Sequence, residues 1–363
     1  MTEAAARTPL RVLLVAPWPP PEGGMAVQAR GLAAALRERG VAVVVVPTNV
    51  GLGPLARVRG LRGAVNLWVF LVRLLLAVRR VDVVHVLAAS GLSFFLFAAP
   101  AVLAGRLAGR RVIVNYRGGL AEPFLERRIR WVRPVLARCH RLVVPSAYLE
   151  EIFRRHGFAP EVVPNYIALA RFAPAAAARE GARILVTRNL EPIYGVAHAI
   201  DAFAHVRRRF ARAELVIAGT GSERTALEAR VRAQDIGGVT FLGRVANEAI
   251  PALYAGADLA LNPALVDNMP ISVLEAFAAG VAVVSTRAGG VSCLVEDRRT
   301  GMLVEPGDVR GLAAAILRLL RRPAHRRALA RAGRRHVEAF DLPRVVAAWE
   351  AIYREEAAAR APA

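Results

Sequence analysis

The sequence predicts an α/β chain of two units that share one layout: parallel strands, each followed by a glycine-bearing loop and a helix. Three observations predict it. Short apolar runs such as 10–16, 41–47 and 83–87 have the pattern of strands covered on both faces. Helical stretches separate these runs, so each strand is followed by a crossover and not by a hairpin. The alternation begins again at Arg183–Thr187, after the alanine-rich stretch 173–181, which is the best linker in the chain.

Length and composition set the bounds. A chain of 363 residues is long enough for two domains of ordinary size, and 55% apolar residues supply a large core. All 50 basic residues are Arg, and against 29 acids they leave a net charge of +21. The charge is uneven: residues 51–160 hold 18 Arg and five acids, Asp82, Glu122, Glu126, Glu150 and Glu151. Such a field suits phosphates, nucleic acid or an anionic membrane face. Nucleic acid is disfavoured, because aromatics are only 6% and are not interleaved with the basic residues. Cys139 and Cys293, one in each half, give no disulfide framework and fit a reducing cytoplasm. The start of the chain is short and polar, so no signal peptide is expected. Stretch 83–105 lacks Asp, Glu, Lys and Arg and is long enough to span a bilayer. Its His85 and Pro100 make a buried strand followed by a helix over 92–107 the better reading.

The first strand, 10–16, runs into the loop Pro17–Gly24 and a helix over 25–39 stopped by Gly40. Gly23 and Gly24 are either turn glycines or points where a missing side chain lets a diphosphate or sugar approach the backbone. Next, Arg57, Arg59, Arg62, Arg73, Arg79 and Arg80 bracket the apolar helix 65–76, which carries Trp68. That composition fits a core helix with basic ends or an interfacial membrane binder. Strands at 81–87 and 111–115 follow. The second of these empties into Tyr116–Gly119, ahead of a basic helix over 126–133. In the second half, Arg183–Thr187 leads to Arg188–Gly195 and a helix to about 209. The strand 214–218 ends in Gly219-Thr220-Gly221, a weak nucleotide signal on its own.

The most informative stretch lies between apolar runs 258–261 and 281–285. Pro270 breaks the loop, a helix follows, and Gly280 stops it. Ser272 reads as the N-cap, with Glu275 completing a capping box. Asp267 and Glu275 then flank a helix start whose free N–H groups and positive dipole end suit a phosphate. The plainer alternative is a crossover helix with a capping Glu and a solvated loop Asp.

Asp267-x7-Glu275, with Pro270 between and Glu275–Gly280 closing it, resembles the Glu-x7-Glu signature of retaining glycosyltransferases of family 4, with Asp as the first acid. The likeness covers nearly the whole chain. It includes the Pro-rich lead into Gly23-Gly24, the segments 161–174, 239–245 and 285–308, and Phe340-Asp341-Leu342 ahead of a helix with Trp349 and Tyr353. The resemblance implies the GT-B fold, two Rossmann-like domains facing each other across a cleft. The acceptor-side domain would be 1–172, the nucleotide-sugar domain 173–340, and 341–363 a helix returning to the first domain.

It also implies a reaction: transfer of a hexose from a nucleotide-diphosphate sugar to a glycan or polyprenyl-diphosphate-linked acceptor. The setting would be polysaccharide biosynthesis at the cytoplasmic face of the membrane, with peripheral contact with anionic lipid and neither metal nor cofactor. The catalytic set it implies is Arg188, Asp267 and Glu275. Arg188 would grip the diphosphate, Glu275 the ribose hydroxyls, and Asp267 with the Asn268–Pro270 backbone the donor sugar. The donor site would add Gly23, Gly24, Tyr194, Gly219, Arg244, Val245, Met269, Ile271 and Ser272, and the acceptor side Arg117 and Glu122. The pattern is broken in three places. Tyr194 stands where the family has a Lys, Arg117 where many members have a His, and Cys293 where an acid is common. Tyr194 and Arg117 keep a non-catalytic glycan- or partner-binding subunit as an alternative; a nucleotide-sugar epimerase of the same fold is another, against which the Asp267-x7-Glu275 pattern argues. The seven His are scattered and form no metal constellation.

Overall fold

The computed structural model describes residues 9–20, 23–49, 61–173 and 182–359. The expected linker 173–181 and the arginines Arg57 and Arg59 therefore lie, apart from Ala173, outside the described residues. By its contacts the chain divides into two units, Met1–Asn165 with Leu342–Ala363, and Tyr166–Asp341.

In the first unit the order is β1 (Arg11–Ala16), α1 (Gly24–Glu38), β2 (Ala42–Pro47), α2 (Leu61–Val78), β3 (Val83–Ala88), α3 (Ala99–Leu107), β4 (Arg111–Tyr116), α4 (Ala121–Leu136), β5 (Arg141–Val144), α5 (Ala147–Arg155) and β6 (Glu161–Val162). The strands form one parallel sheet in the order β2-β1-β3-β4-β5-β6. Alternation along the strands sends Val84, Val86, Val112 and Val114 to one face, where Phe70, Leu74, Phe124 and Val132 cover them, so α2 to α5 line that side. His85 points to the other face. The helix expected over 92–107 opens with a π turn, Phe94–Ala98, before α3. Pro100 has no N–H to return to the preceding turn, and the Ala99 N–H reaches back to the Phe94 carbonyl.

The second unit holds β7 (Ala182–Thr187), α6 (Val196–Arg207), β8 (Ala213–Ala218), α7 (Arg224–Ala233), β9 (Val239–Gly243), α8 (Ile250–Ala255), β10 (Leu259–Asn262), α9 (Ile271–Ala278), β11 (Ala282–Thr286), α10 (Val291–Leu294), β12 (Gly301–Val304), α11 (Val309–Arg321) and α12 (Pro323–His336). Its parallel sheet runs β12-β11-β10-β7-β8-β9. The strand order reverses between β7 and β10, which is where an open α/β sheet leaves a crevice at the carboxyl ends of its strands. The chain enters this unit at Tyr166, ahead of the boundary expected at 172. Residues 166–172 belong here because the Ile167 N–H donates to the Phe340 carbonyl at 2.9 Å and Ile167 and Phe172 pack with Val273 and Phe277.

The last helix, α13 (Leu342–Ala358), is part of the first unit and lies beside α1. Trp349 stacks on His85 with ring centroids 4.3 Å apart, and Glu356 pairs with Arg111 at 2.7 Å and Arg141 at 3.1 Å. The Tyr353 hydroxyl lies 2.6 Å from His85 Nδ1, and burial with Arg117 nearby pushes the His85 pKa down to about 3. His85 is thus a neutral core histidine.

Candidate active site

The site is built on the two strands that flank the reversal in the second sheet. β7 hands over to Arg188, and a 3₁₀ turn at Pro192–Tyr194 ends at Gly195 in the left-handed region, φ 60°. β10 hands over to the loop 263–270 and then α9. The loop is pinned to its neighbour, because the Leu265 N–H donates to the Ile193 carbonyl at 2.8 Å. Arg188 and Asp267 meet between them. Arg188 Nη2 donates to Asp267 Oδ2 at 2.6 Å, with the two side chains only 10% and 12% exposed. Arg188 Nη1 donates to Ser272 Oγ at 3.3 Å, and its Cζ sits 4.1 Å from the centre of the Tyr194 ring. The Tyr194 ring is therefore a platform for the guanidinium, and Arg188 brings a positive charge to this point.

Helix α9 starts at Ile271 with Pro270 as its N-cap and no side-chain cap. This corrects the expected capping box at Ser272. Pro270 fixes the extended backbone that a cap needs, so Ser272 falls inside the first turn, and its hydroxyl receives Arg188. The N–H groups of Ile271 and Ser272 have no acceptor within the helix, which leaves the positive dipole end open beside Arg188. Gly280, φ 66°, terminates the segment as expected.

Glu275 comes from the second turn of α9, four residues after Ile271. Burial pushes its carboxyl up to about 7, opposed by the nearby Tyr254 hydroxyl and by the charges of Arg171 and Arg188. The Tyr254 hydroxyl also lies 2.5 Å from Thr187 Oγ1 and donates to the Ser272 carbonyl at 2.8 Å. Sequence reasoning missed Tyr254, Thr187 and Arg171. The available signal was a lone Tyr in the apolar run of α8, whose hydroxyl needs a partner once buried.

The other expected donor residues divide. Asn268 is buried and gives its N–H to Asp267 Oδ1 at 2.8 Å. Met269 is turned into the core with Val273 and Leu274, so its backbone alone is left for a ligand. At Gly219, φ 153°, a Cβ would lie 1.9 Å from the Arg188 carbonyl oxygen. Its first role is thus to let the end of β8 close against the Arg188 backbone. Gly290 does the same for the acidic loop, since a Cβ there would lie 2.0 Å from the Asn268 carbonyl oxygen. Arg244 and Val245 follow β9 at the sheet edge, two strands from β7.

Gly23, Gly24, Arg117 and Glu122 belong to the first unit. Gly24 opens α1, and a Cβ on Gly23 would meet nothing within 4 Å. Arg117 follows β4, and its guanidinium donates to the side-chain oxygens of Asn165 and, at 3.3 Å, Gln28. Glu122, in the first turn of α4, pairs with Arg155 at 2.9 Å. Among the described residues no group of three or more His, Cys, Asp or Glu is placed to hold a metal ion.

The chain is similar to known proteins along most of its length. The model described as Glycosyltransferase Family 4 matches residues 22–171, and that described as glycosyl transferases group 1 matches residues 181–322. The glycogen synthase of Mycobacterium tuberculosis is 34% identical over 197 residues, 53% of this chain and 47% of that protein. MMP alpha-(1->4)-mannosyltransferase of Mycolicibacterium hassiacum is 34% identical over 233 residues, 61% of this chain and 55% of that protein. The chain spans about half the length of the curated relatives it matches. Among solved structures, the sucrose-phosphate synthase of Thermosynechococcus elongatus superposes with a TM-score of 0.81 at 21% identity, covering 96% of this chain and 100% of that one. HepE of Anabaena in complex with UDP and glucose gives 0.77 at 18% identity, covering 95% and 100%. At such identities the likeness shows the fold, two Rossmann-like α/β units of the GT-B class.

Proposed function

The chain belongs to glycosyltransferase family 4, and from that premise we propose that it is a retaining glycosyltransferase taking a sugar from a nucleotide-diphosphate donor. The observation that carries the reading is the convergence of Arg188, Asp267 and the open start of α9 at the strand-order reversal of the second sheet. Breaking a glycosyl–phosphate bond leaves negative charge on the departing diphosphate. The Arg188 guanidinium and the Ile271 and Ser272 N–H groups are fixed donors for it, and no metal is invoked for that step. Glu275 accepts from the ribose hydroxyls, and Asp267 with the Asn268–Pro270 backbone orients the donor sugar. The departing phosphate oxygen takes the acceptor proton on the same face of the sugar, which gives retention without a protein base.

HepE was solved with UDP and with UDP-glucose, which supports a nucleoside diphosphate as the leaving group here. The acceptor is a glycan or a polyprenyl-diphosphate-linked glycan, met at the cytoplasmic membrane face by peripheral contact. No helix among the described residues is long and apolar enough to cross a membrane. Arg117 and Glu122 are proposed for the acceptor side.

The test is thermal shift and titration with nucleoside diphosphates and nucleotide sugars. A rise in Tm with one base and transfer from its sugar are the expected results. Binding without transfer or donor hydrolysis would favour the non-catalytic subunit, and no binding to any of them would sink the reading. A second measurement isolates Tyr194. Tyr194→Ala removes the platform under Arg188 and should weaken diphosphate binding about 5–10-fold, the equivalent of roughly 1 kcal/mol of cation–π attraction. Tyr194→Phe keeps the ring and should change affinity little. Equal losses in both variants would place the effect in the hydroxyl.

A further inference from the structure

The outer surface of α2, α3 and α4 has a composition that folding does not require. Helix α2 is apolar on both sides. Leu67, Phe70, Leu71 and Leu74 face the sheet, whereas Trp68, Val72, Leu75 and Leu76 recur at helical spacing on the solvent side. Trp68 and Leu76 are each 65% exposed. The neighbouring α3 adds Leu103 and, at 89% exposure, Leu107, and α4 adds Trp131. Scattered exposed apolar residues are ordinary, but here they share one side of three adjacent helices. Arginines lie among them: Arg73, Arg79 and Arg80 on and after α2, and Arg127, Arg128 and Arg130 on α4, with Arg130 lying 5.4 Å from the Trp131 ring centre. Residues 61–80 and 99–107 contain no Asp or Glu. On α4, Glu122 is paired with Arg155, and the remaining acid is Glu126.

We propose that this surface docks the protein on an anionic lipid bilayer, with Trp68, Leu75, Leu76, Leu103, Leu107 and Trp131 entering the interface and the arginines holding headgroup phosphates. Tryptophan and leucine suit the boundary between headgroups and acyl chains, and arginines snorkel to the phosphates around them. The charge selects the occupant. A second copy of this chain would bring the same arginines against themselves, whereas an anionic leaflet attracts each of them. The proposal deepens the membrane-side part of the function above. It rests on that reading for where the protein works, and on the surface itself for what binds.

Sedimentation of the full chain with vesicles tests it. Vesicles rich in phosphatidylglycerol should carry the protein down at low salt, and pure phosphatidylcholine vesicles should carry down little. Raising the salt to about 0.5 M should release much of it, because headgroup attraction is screened. The double variant Leu76→Glu/Leu107→Glu changes two exposed positions, so its Tm and its binding of nucleoside diphosphate should stay those of the parent. Its vesicle affinity should fall by at least about tenfold, and Trp68→Ala should weaken binding in the same direction. Absence of binding to anionic vesicles at low salt overturns the proposal, and so does binding that the double variant leaves intact. A concentration-dependent dimer lost in that variant would instead assign the face to a second copy. Nucleotide binding is read separately, so failure of the donor site and failure of this surface give different results.

Discussion

Glu275→Gln is expected to slow sugar transfer by about 10²–10³ and to remove a pH dependence of nucleotide binding near neutrality. Burial raises the Glu275 pKa to about 7, so in the free protein the carboxyl is largely protonated below that pH. A carboxylate accepts from ribose hydroxyls better than a carboxylic acid does, so bound nucleotide favours the ionised form and lowers the pKa. Nucleotide binding below pH 7 therefore releases a proton, and affinity should fall as pH drops from 7 toward 6 and level off above about 8. The amide variant has nothing to titrate, and its binding should lack this part of the pH response. Calorimetry at pH 6.5 in two buffers of different ionisation enthalpy counts the proton directly.

The same shift acts on stability with a fixed sign. The folded pKa lies above the ordinary carboxyl value, so folded and unfolded chains are equally protonated well below 4.5, and the burial cost grows as pH climbs through 4.5 toward 7. Glu275→Gln should thus gain Tm over the parent at pH 8 and lose that gain toward pH 5. A gain that grows on acidification would show that the parent carboxylate is stabilised by its surroundings, and the burial argument would be wrong.

Local patterns carried the fold because buried parallel strands announce themselves as apolar runs, and each of those runs became a strand. The pieces that were not legible depend on contacts distant in sequence. Tyr254 could not be tied to Glu275 from spacing, since α8 and α9 are separated by β10 and a loop; only packing brings that hydroxyl to the first turn of α9. The Ser272 capping box failed because a local rule competed with Pro270, whose fixed φ holds the cap position two residues earlier than the serine rule allows. Gly219-Thr220-Gly221 is a weak nucleotide signal on its own, and that Gly219 lets the Arg188 carbonyl approach follows from a contact distant in sequence. Tyr194 was legible as a departure from the family pattern, but that its ring supports Arg188 follows from a distance, 4.1 Å, which no alignment of motifs supplies.

Arg188 and Asp267 should behave as one unit. Arg188→Met is expected to cost about 10² or more in transfer rate, because the developing charge on the diphosphate loses the Arg188 guanidinium. It also leaves Asp267 largely buried beside an apolar side chain. Removing one partner of a buried pair typically costs about 3–5 kcal/mol, more than removing both, since the residual charge stays desolvated and unpaired. The single variant should therefore melt well below the parent, and Arg188→Met/Asp267→Asn should recover part of that Tm without recovering activity. Arg188→Lys separates charge from geometry. A lysine keeps the cation but cannot reach Asp267 and Ser272 with two arms at once or spread over the Tyr194 ring, so stability should return further than rate does. A thermodynamic cycle on the two positions measures the coupling. Strictly additive losses in Tm would mean that the 2.6 Å contact is incidental, and the guanidinium would then have to be held by Tyr194 and the start of α9 alone.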